Sequence, residues 1–338
     1  MMKYLVTGGA GFIGSHIADA LVEAGHAVTV LDNLSSGHKE NLSRVWSRIA
    51  FIEGDVRDSD ICLKASAGCD GIFHEAALVS VADSVERPRD NHEINLTGTL
   101  NVLEGARVNH VKRMVFASSA AVYGDDRELP KCEDMLPDPQ TPYATAKITG
   151  EYYLRTYAKL YGLEGVALRY FNVFGPRQDP SSPYSGVISI FATRVRQGLP
   201  VTVFGDGAQT RDFVHVRDVV MANLFAMGIE RQGVPGLEIA VPQPGGDTEN
   251  GPSSADNDAD PENRFALFNV ATGQKNSLLH LLTMLDEIAG QRVERHFAPA
   301  RSGDIRHSLG SSSRLQAHGW APGVGFRDGL DDLLAHLP

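Results

Sequence analysis

The chain has 338 residues, enough for one large α/β unit or two joined parts and too few for three ordinary domains. Hydrophobic residues make up 42% of the sequence, which excludes wholesale disorder, and a net charge of −11 disfavours non-specific binding to nucleic acid or to an anionic membrane. The sequence has no apolar run long enough to span a bilayer, no leader before the first strand, and no metal or disulfide spacing among its three cysteines, so we expect a cytoplasmic protein without a metal site.

Short apolar segments alternate with amphipathic segments through the first two-thirds of the chain. β-branched and aromatic residues without proline predict strands at 4–6, 27–31, 50–52, 71–74, 113–117 and 165–169. Helical spacing of apolar residues predicts helices at 14–24, 96–109 and 143–160. This alternation predicts a doubly wound parallel sheet with right-handed crossovers, the Rossmann architecture.

The pattern becomes less regular after residue 171, where glycine and proline are more frequent. Two short strands are predicted there, at 201–204 and 268–270, and three helices, at 187–197, 216–229 and 278–289. We therefore expect a smaller C-terminal α/β part built onto the sheet.

Residues 243–263 form an acidic segment with six carboxylates, no basic residue and almost no hydrophobic residue. Such a segment cannot bury enough apolar surface to offset the entropy of ordering, so we expect a mobile surface loop. A calcium-binding loop is the alternative, but the glycine and the terminal glutamate of an EF-hand are not in register.

A glycine-rich turn joins the first predicted strand to the first helix, with Gly8, Gly11 and Gly14 in the segment TGGAGFIG. Glycines at this spacing allow a tight turn, close approach of the backbone to a pyrophosphate, and close packing of helix on strand. The N-terminus of the helix supplies free N–H groups and the positive end of its dipole. The motif predicts a dinucleotide-binding site.

Acidic residues follow the next two strands. Asp32 can accept hydrogen bonds from ribose hydroxyls and would repel a 2′-phosphate, which favours NAD over NADP; the alternative is an Asx-turn before Asn33. Asp55 and Asp58 follow the third strand, where a carboxylate could meet the adenine amino group, although Asp58 could equally belong to a surface turn.

Ser119 stands at the end of the fifth predicted strand, and Tyr143 and Lys147 lie four residues apart on one helical face. A tyrosine with the usual pKa of about 10 is a poor base at neutral pH. A nearby ammonium and an oxidised nicotinamide would favour the phenolate and lower the pKa of the tyrosine, and a serine could donate a hydrogen bond to the same oxygen. These three residues are the candidate catalytic group.

Taken together, the motifs resemble those of the extended short-chain dehydrogenases/reductases, and are most similar to the nucleotide-sugar 4-epimerases that act on UDP-GlcNAc or UDP-glucose. The resemblance rests on TGGAGFIGSH, GDVRD, HEAA, SSAAVYG, YATAK, RYFNVFGPRQ, GDGAQTRDFVHV and RSGDIRHS, which follow one another in the family order over nearly the whole chain.

The resemblance implies a role for each matching position. It implies catalytic roles for Ser119, Tyr143 and Lys147. It implies NAD contacts at Gly8, Gly11, Phe12, Ile13, Gly14, Asp32, Asn33, Asp55, Val56, Ala76, Ala77, Asn95, Tyr143 and Lys147. It implies substrate contacts at Ser80, Ser119, Tyr143, Asn172, Val187, Arg211, Arg301, Asp304 and Ser308. One departure is Val79, where some relatives have a lysine, so a contact to cofactor or phosphate is lost or supplied otherwise.

The implied reaction is C4 epimerisation of a UDP-hexose through a transient 4-keto sugar, with NAD as a tightly held cofactor. Related dehydratases and decarboxylases carry a carboxylate just after the serine, where this chain has Ala120 and Ala121. The alternatives are another nucleotide-sugar dehydrogenase of this group, such as a UDP-glucuronate epimerase or decarboxylase or a dehydratase, a net dehydrogenase or reductase, and a non-catalytic NAD sensor.

The resemblance also implies how the chain is divided and assembled. Residues 1–171 would form the NAD-binding Rossmann domain, completed by about 214–242, while 172–213 and 264–338 would form the nucleotide-sugar-binding part. The helices at 96–109 and 143–160 would pair in a two-fold homodimer.

In this resemblance, the position of Ser308 lies beside the hexose, and a bulky tyrosine there restricts relatives to non-acetylated sugars. A serine would leave room for an N-acetyl group; the alternative is that Ser308 merely caps the helix-like stretch that follows it.

Overall fold

The computed structural model describes residues 1–179, 186–230, 236–238, 264–300 and 306–337. The strands in these ranges are β1 (Lys3–Thr7), β2 (Ala27–Asp32), β3 (Ile49–Glu53), β4 (Gly71–His74), β5 (Arg113–Ser119), β6 (Glu164–Tyr170), β7 (Asn172–Phe174), β8 (Val201–Phe204), β9 (Thr210–Arg211), β10 (Phe213–His215), β11 (Phe265–Val270), β12 (Asn276–Ser277) and β13 (Arg295–Ala298).

The α-helices in these ranges are α1 (Phe12–Glu23), α2 (Ser59–Ser66), α3 (Val81–Glu86), α4 (Pro88–Asn91), α5 (Gly98–Val108), α6 (Pro142–Tyr161), α7 (Val187–Arg196), α8 (Val216–Ala226), α9 (Leu278–Ala289), α10 (Ser313–Ala317) and α11 (Phe326–Ala335). A π-helical turn, His92–Thr97, leads into α5, and short 3₁₀ turns lie at Lys39–Leu42, Trp46–Arg48 and Ala120–Tyr123.

Seven strands form the central sheet in the order β11-β6-β5-β4-β1-β2-β3, and every neighbouring pair is parallel. The prediction of a doubly wound parallel sheet is confirmed. Each of the six strands predicted in the first two-thirds of the chain falls within an observed strand of this sheet.

Both faces of the sheet are buried, so its strands are apolar at successive positions. In β6, Val166 and Leu168 point to the face covered by α1 and α8, whereas Ala167 between them points to the face covered by α2, α5 and α6. All three side chains are fully buried. This alternation follows from the two-residue period of a strand.

The C-terminal part has a core of its own, formed by α7, α9 and α11 with β8 and β10 and including Phe191, Val203 and Leu285. One assignment from the sequence changes here. The sequence pattern puts the strand at 268–270 in the substrate-binding part, but β11 pairs with β6 along its whole length and is the seventh strand of the central sheet. Its buried apolar residues fit either location, so only the pairing partner decides between them.

Because all seven strands run in one direction, the loops that follow them meet at one edge of the sheet. A cavity of about 670 Å³ lies at that edge, lined by the loops after β1, β2, β3, β4 and β5 and by the segment after β6. In open parallel sheets this edge is where ligands bind. Within the described ranges, none of the helices has the length and apolar character needed to cross a membrane.

Candidate active site

The glycine turn after β1 forms the floor of the cavity, and Gly8, Gly11 and Gly14 all line it, together with Phe12 and Ile13. Gly8 has a φ of +66°, and a Cβ there would lie 2.7 Å from the backbone nitrogen of Ala76. A Cβ on Gly14 would lie 2.3 Å from the carbonyl oxygen of Gly8. The glycines therefore let the backbone come close at the start of α1. Since no described side chain caps α1, its first N–H groups are available to a phosphate.

Asp32 ends β2 at the wall of the cavity and is buried. Its Oδ2 accepts a hydrogen bond from the backbone nitrogen of Ala10 over 2.9 Å, and its Oδ1 accepts one from Leu34 over 2.7 Å. The second bond is the Asx-turn that the sequence offered as an alternative. Each carboxylate oxygen has a further lone pair, so the turn and a bond from a ribose hydroxyl are compatible.

The loop after β3 contributes Asp55 and Val56 to the lining, and Asn33 lies beside them. Asn33 donates to Asp55 over 2.7 Å, and the guanidinium of Arg57 holds the same carboxylate, which lowers the pKa of Asp55 to about 2. Asp58 does not line the cavity; it is the N-cap of α2 and accepts from the backbone nitrogens of Asp60 and Ile61.

The loop after β4 carries Ala76 and Ala77 into the cavity wall. Asn95 does not line the cavity. It lies in the π-helical turn, and its side chain accepts from the backbone nitrogen of Leu78 over 2.7 Å and donates to the carbonyl oxygen of Leu78 over 2.9 Å. Asn95 therefore holds this loop in place from behind.

Ser119, Tyr143 and Lys147 converge on the cavity. Ser119 ends β5, and Tyr143 and Lys147 lie one turn apart on α6, which the side chain of Thr141 caps. Ser119 lies beside Tyr143 and acts to lower the pKa of its hydroxyl. Lys147 Nζ donates to the carbonyl oxygen of Ala117 over 2.7 Å and lies 5.8 Å from the centre of the Tyr143 ring.

The electrostatics of this group differ from the expectation that Lys147 lowers the pKa of the tyrosine. Burial and, to a smaller extent, the charge of Glu75 raise the pKa of Tyr143, while Ser119 opposes that rise. Burial also lowers the pKa of Lys147 to about 8, because the charged form is costly in an apolar surrounding. The ammonium contacts a carbonyl group and lies over the tyrosine ring, so a further positive charge would be needed in the cavity to favour the phenolate.

Glu75 and Tyr170 are among the polar residues of the cavity wall that the sequence did not point to. Glu75 follows β4, Tyr170 ends β6, and the hydroxyl of Tyr170 donates to Glu75 over 2.9 Å. The rule that pointed to Asp32 and Asp55, a carboxylate directly after a parallel strand, would also have found Glu75.

The predicted substrate residues divide into three groups. Ser80 and Asn172 line the cavity, with Ser80 also the N-cap of α3. Three others lie outside its lining: Val187 in the first turn of α7, Arg211 in β9, and Ser308. Arg301, Asp304 and the acidic segment 243–263 lie outside the described residues.

Ser308 does not cap a helix, which was the alternative given for it. Its backbone nitrogen donates to the carbonyl oxygen of Thr210 over 3.0 Å, so it runs alongside β9 and Arg211. The helix that follows is α10, and its N-cap is Ser312.

Comparisons with known proteins agree with this geometry. A sequence model of the NAD dependent epimerase/dehydratase family matches residues 4–241. The UDP-glucose 4-epimerase of Mycolicibacterium smegmatis is 37% identical over 334 residues, which cover 97% of this chain and 96% of that protein.

Solved structures extend the likeness to the whole fold. The UDP-glucose 4-epimerase of Thermotoga maritima, solved with UDP-glucose, superposes with a TM-score of 0.85 at 37% identity and covers 99% of this chain and 98% of its own. The UDP-N-acetylglucosamine 4-epimerase of Methanobrevibacter ruminantium M1, solved with UDP-N-acetylmuramic acid, gives 0.86 at 34% identity, with 99% and 97% covered. The predicted fold and family, and NAD as cofactor, are confirmed: the chain belongs to the NAD-dependent epimerase/dehydratase family.

Proposed function

We propose that this protein is a UDP-sugar 4-epimerase that interconverts the C4 epimers of a UDP-hexose. The observation that carries the proposal is the convergence of Ser119, Tyr143 and Lys147 on the cavity whose floor is the glycine turn. A dinucleotide on that turn and a sugar near Tyr143 would share one enclosed space. The names of the relatives at 31–37% identity point to the same reaction.

Bound NAD would supply a hydride acceptor that also returns the hydride to the sugar. Tyr143, as the phenolate, would take the proton of the C4 hydroxyl and later give it back. Ser119, which lines the cavity with Tyr143, would hold the C4 oxygen in line with it. Lys147, as the ammonium over the Tyr143 ring, would add to the positive charge that an oxidised nicotinamide brings, and together they would favour the phenolate. Epimerisation follows if the 4-keto sugar turns over before the hydride returns.

Dehydration or decarboxylation is disfavoured by the residues after Ser119. Ala120 and Ala121 form the start of a 3₁₀ turn there, and the backbone nitrogen of Ala121 donates to Ser119 Oγ over 3.2 Å. Neither side chain can transfer a proton. A net dehydrogenase would consume free NAD in proportion to product, and a non-catalytic sensor would not need the three catalytic side chains together.

We further propose that the enzyme interconverts UDP-GlcNAc and UDP-GalNAc. UDP-glucose and UDP-galactose would be interconverted too, at an equal or lower rate. The support is the small side chain of Ser308, on a segment that runs beside Arg211. We place the sugar-binding part at 172–213 and 264–338, apart from β11, which belongs to the central sheet, and we assign residues 243–263 no part in catalysis.

We also propose a homodimer formed through α5 and α6. The support is a set of large hydrophobic side chains that are exposed on α6, including Tyr152, Leu160 and Tyr161. Light scattering at micromolar concentration should give twice the chain mass of 36.5 kDa, and a monomeric mass would contradict the proposal.

The function is tested by incubating the protein separately with UDP-glucose, UDP-GlcNAc and UDP-glucuronate and resolving the products by NMR. We expect the C4 epimer without net consumption of NAD. The matched variant is Tyr143→Phe, which keeps the ring packing and removes the base, and its turnover should fall by about 10²–10⁴-fold. The proposal fails if no C4 epimer forms from any of the three, or if Tyr143→Phe keeps more than about a tenth of the activity.

A further inference from the structure

Glu75 places a carboxyl group in the wall of the catalytic cavity, although the proton transfers assigned to Tyr143 do not require it. It lines the same cavity as Tyr143 and Lys147. Its Oε1 accepts a hydrogen bond from the hydroxyl of Tyr170, and that hydroxyl in turn accepts one from Asn223 of α8 over 2.7 Å. The carboxyl group is thus held by Tyr170 at the end of β6, and α8 holds the hydroxyl of Tyr170 in turn.

The charged and titratable groups around Glu75 come from three elements. Tyr143 and Lys147 face it from α6, and Tyr170 faces it from the end of β6. His74 precedes it in β4; burial lowers the pKa of that imidazole to about 3, so it is neutral.

The charge of Glu151 raises the pKa of Lys147. That carboxylate is itself paired with the guanidinium of Arg169 over 2.8 Å. Among the described residues, the positive charge that acts on Glu75 is therefore the ammonium of Lys147.

The ionisation of Glu75 is balanced near neutral pH. Burial raises the pKa of this carboxyl group to about 7, and the hydrogen bond from Tyr170 and the charge of Lys147 limit that rise. A second positive charge in the cavity would favour the carboxylate further. An oxidised nicotinamide carries one positive charge and a reduced one carries none.

We propose that Glu75 is the counter-charge of the nicotinamide, a positioning residue whose carboxylate makes the site prefer oxidised over reduced cofactor. The proposal rests on the proposed function, which places the nicotinamide beside Tyr143. With Glu75 ionised, the cavity holds four charges before hydride transfer. Lys147 and the oxidised ring are positive, and Tyr143 and Glu75 are negative. Once the ring has become neutral by accepting the hydride and Tyr143 by accepting the proton, the ammonium of Lys147 and the carboxylate of Glu75 would remain. The buried cavity therefore carries no net charge at either stage, which avoids the cost of an unpaired charge.

The test compares the wild-type holoenzyme with Glu75→Gln, which keeps the size of the side chain and removes its charge. Each protein is incubated with NAD⁺ and NADH at one fixed ratio between pH 6 and pH 8.5. Free nucleotide is removed by rapid gel filtration, and the bound ratio is read by chromatography after denaturation.

The wild type should retain NAD⁺ in preference, and that preference should weaken as pH falls through and below about 7, because protonation neutralises Glu75. Glu75→Gln should shift the bound ratio about tenfold toward NADH at pH 8 and remove the change that the wild type shows around pH 7; the change that remains nearer pH 8 belongs to Lys147.

Tyr170→Phe is the matched control, since it keeps the carboxyl group and removes its hydrogen-bond donor. Loss of that donor destabilises the carboxylate, so the pKa of Glu75 rises and the pH dependence should move to higher pH.

The proposal is overturned if Glu75→Gln has the wild-type ratio and pH dependence, or if it lowers the total bound nucleotide without changing the ratio. No sugar is present in this assay, so its result is independent of whether the chain epimerises UDP-hexoses. Failure of the product assay alone would overturn the proposed function only.

Discussion

The glycine turn offers a sharp test of the cofactor site, because Gly14 and Gly25 stand at the two ends of α1 in opposite surroundings. Gly14 lies in the first turn, where a Cβ would be 2.3 Å from the carbonyl oxygen of Gly8 and 2.8 Å from the Cα of Gly9. Gly25 follows the C-terminus of the helix with a φ of +83° and nothing within 4 Å of a Cβ. The same Gly→Ala substitution at the two positions should therefore differ in its effect on NAD affinity.

The magnitude for Gly14→Ala follows from the geometry. Ordinary van der Waals contact for a Cβ begins at 3.4 Å, so the start of α1 must move about 1 Å away from the turn. A shift of that size disrupts one hydrogen bond from a backbone N–H group to the pyrophosphate, worth about 1.5–3 kcal/mol because the acceptor is charged. NAD affinity should therefore fall by about ten- to a hundredfold.

Gly25→Ala should instead cost about 1–2 kcal/mol of folding free energy, from the left-handed backbone alone, and leave NAD affinity unchanged. The assay is the NAD content of each purified protein, with the dissociation constant from calorimetry and unfolding by urea as a check on stability. The reasoning is refuted if Gly14→Ala binds NAD as the wild type does, or if Gly25→Ala weakens binding as much as Gly14→Ala.

Three further predictions concern the stability of the fold, the acidic segment 243–263 and the choice of sugar. Arg169→Met should destabilise the fold by about 3–5 kcal/mol in urea unfolding, because Glu151 would stay buried without its bidentate partner. Adding Glu151→Leu should restore most of the lost stability. An Arg169→Met variant within about 1 kcal/mol of the wild type would contradict this reasoning. Replacing residues 246–262 by a short Gly/Ser linker should leave the melting temperature and turnover nearly unchanged, whereas a collapse of activity would mean that the segment covers the sugar site. Ser308→Tyr should lower turnover of UDP-GlcNAc selectively and spare UDP-glucose, and equal losses on both sugars would remove Ser308 from the specificity argument.

Local patterns in the sequence predict much of the central sheet and of the cofactor site. The turn between β1 and α1 needs glycine for reasons that act within a few residues: a positive φ at Gly8 and close packing at Gly14. Asp32 and Asp55 could be placed for a similar reason, since any residue directly after a parallel strand lies at the ligand-binding edge. The four-residue spacing of Tyr143 and Lys147 likewise puts both on one face of α6 before any tertiary contact is known.

Other features depend on which elements meet, and no local pattern specifies that. β11 is as apolar as a strand of either part, so its place beside β6 is decided by pairing across about a hundred residues of chain. Asn95 holds the loop after β4 only because the π-helical turn packs behind that loop.

The charges of the catalytic group also come from tertiary structure. The spacing of Tyr143 and Lys147 suggests an ammonium that activates a phenol, yet the fold buries both groups, which raises one pKa and lowers the other. It also sets Glu75 beside them through Tyr170 and Asn223, which lie 95 and 148 residues further along the chain. Burial and long-range neighbours determine the energy of a charge, so the sequence identifies these residues and only the folded chain decides their ionisation.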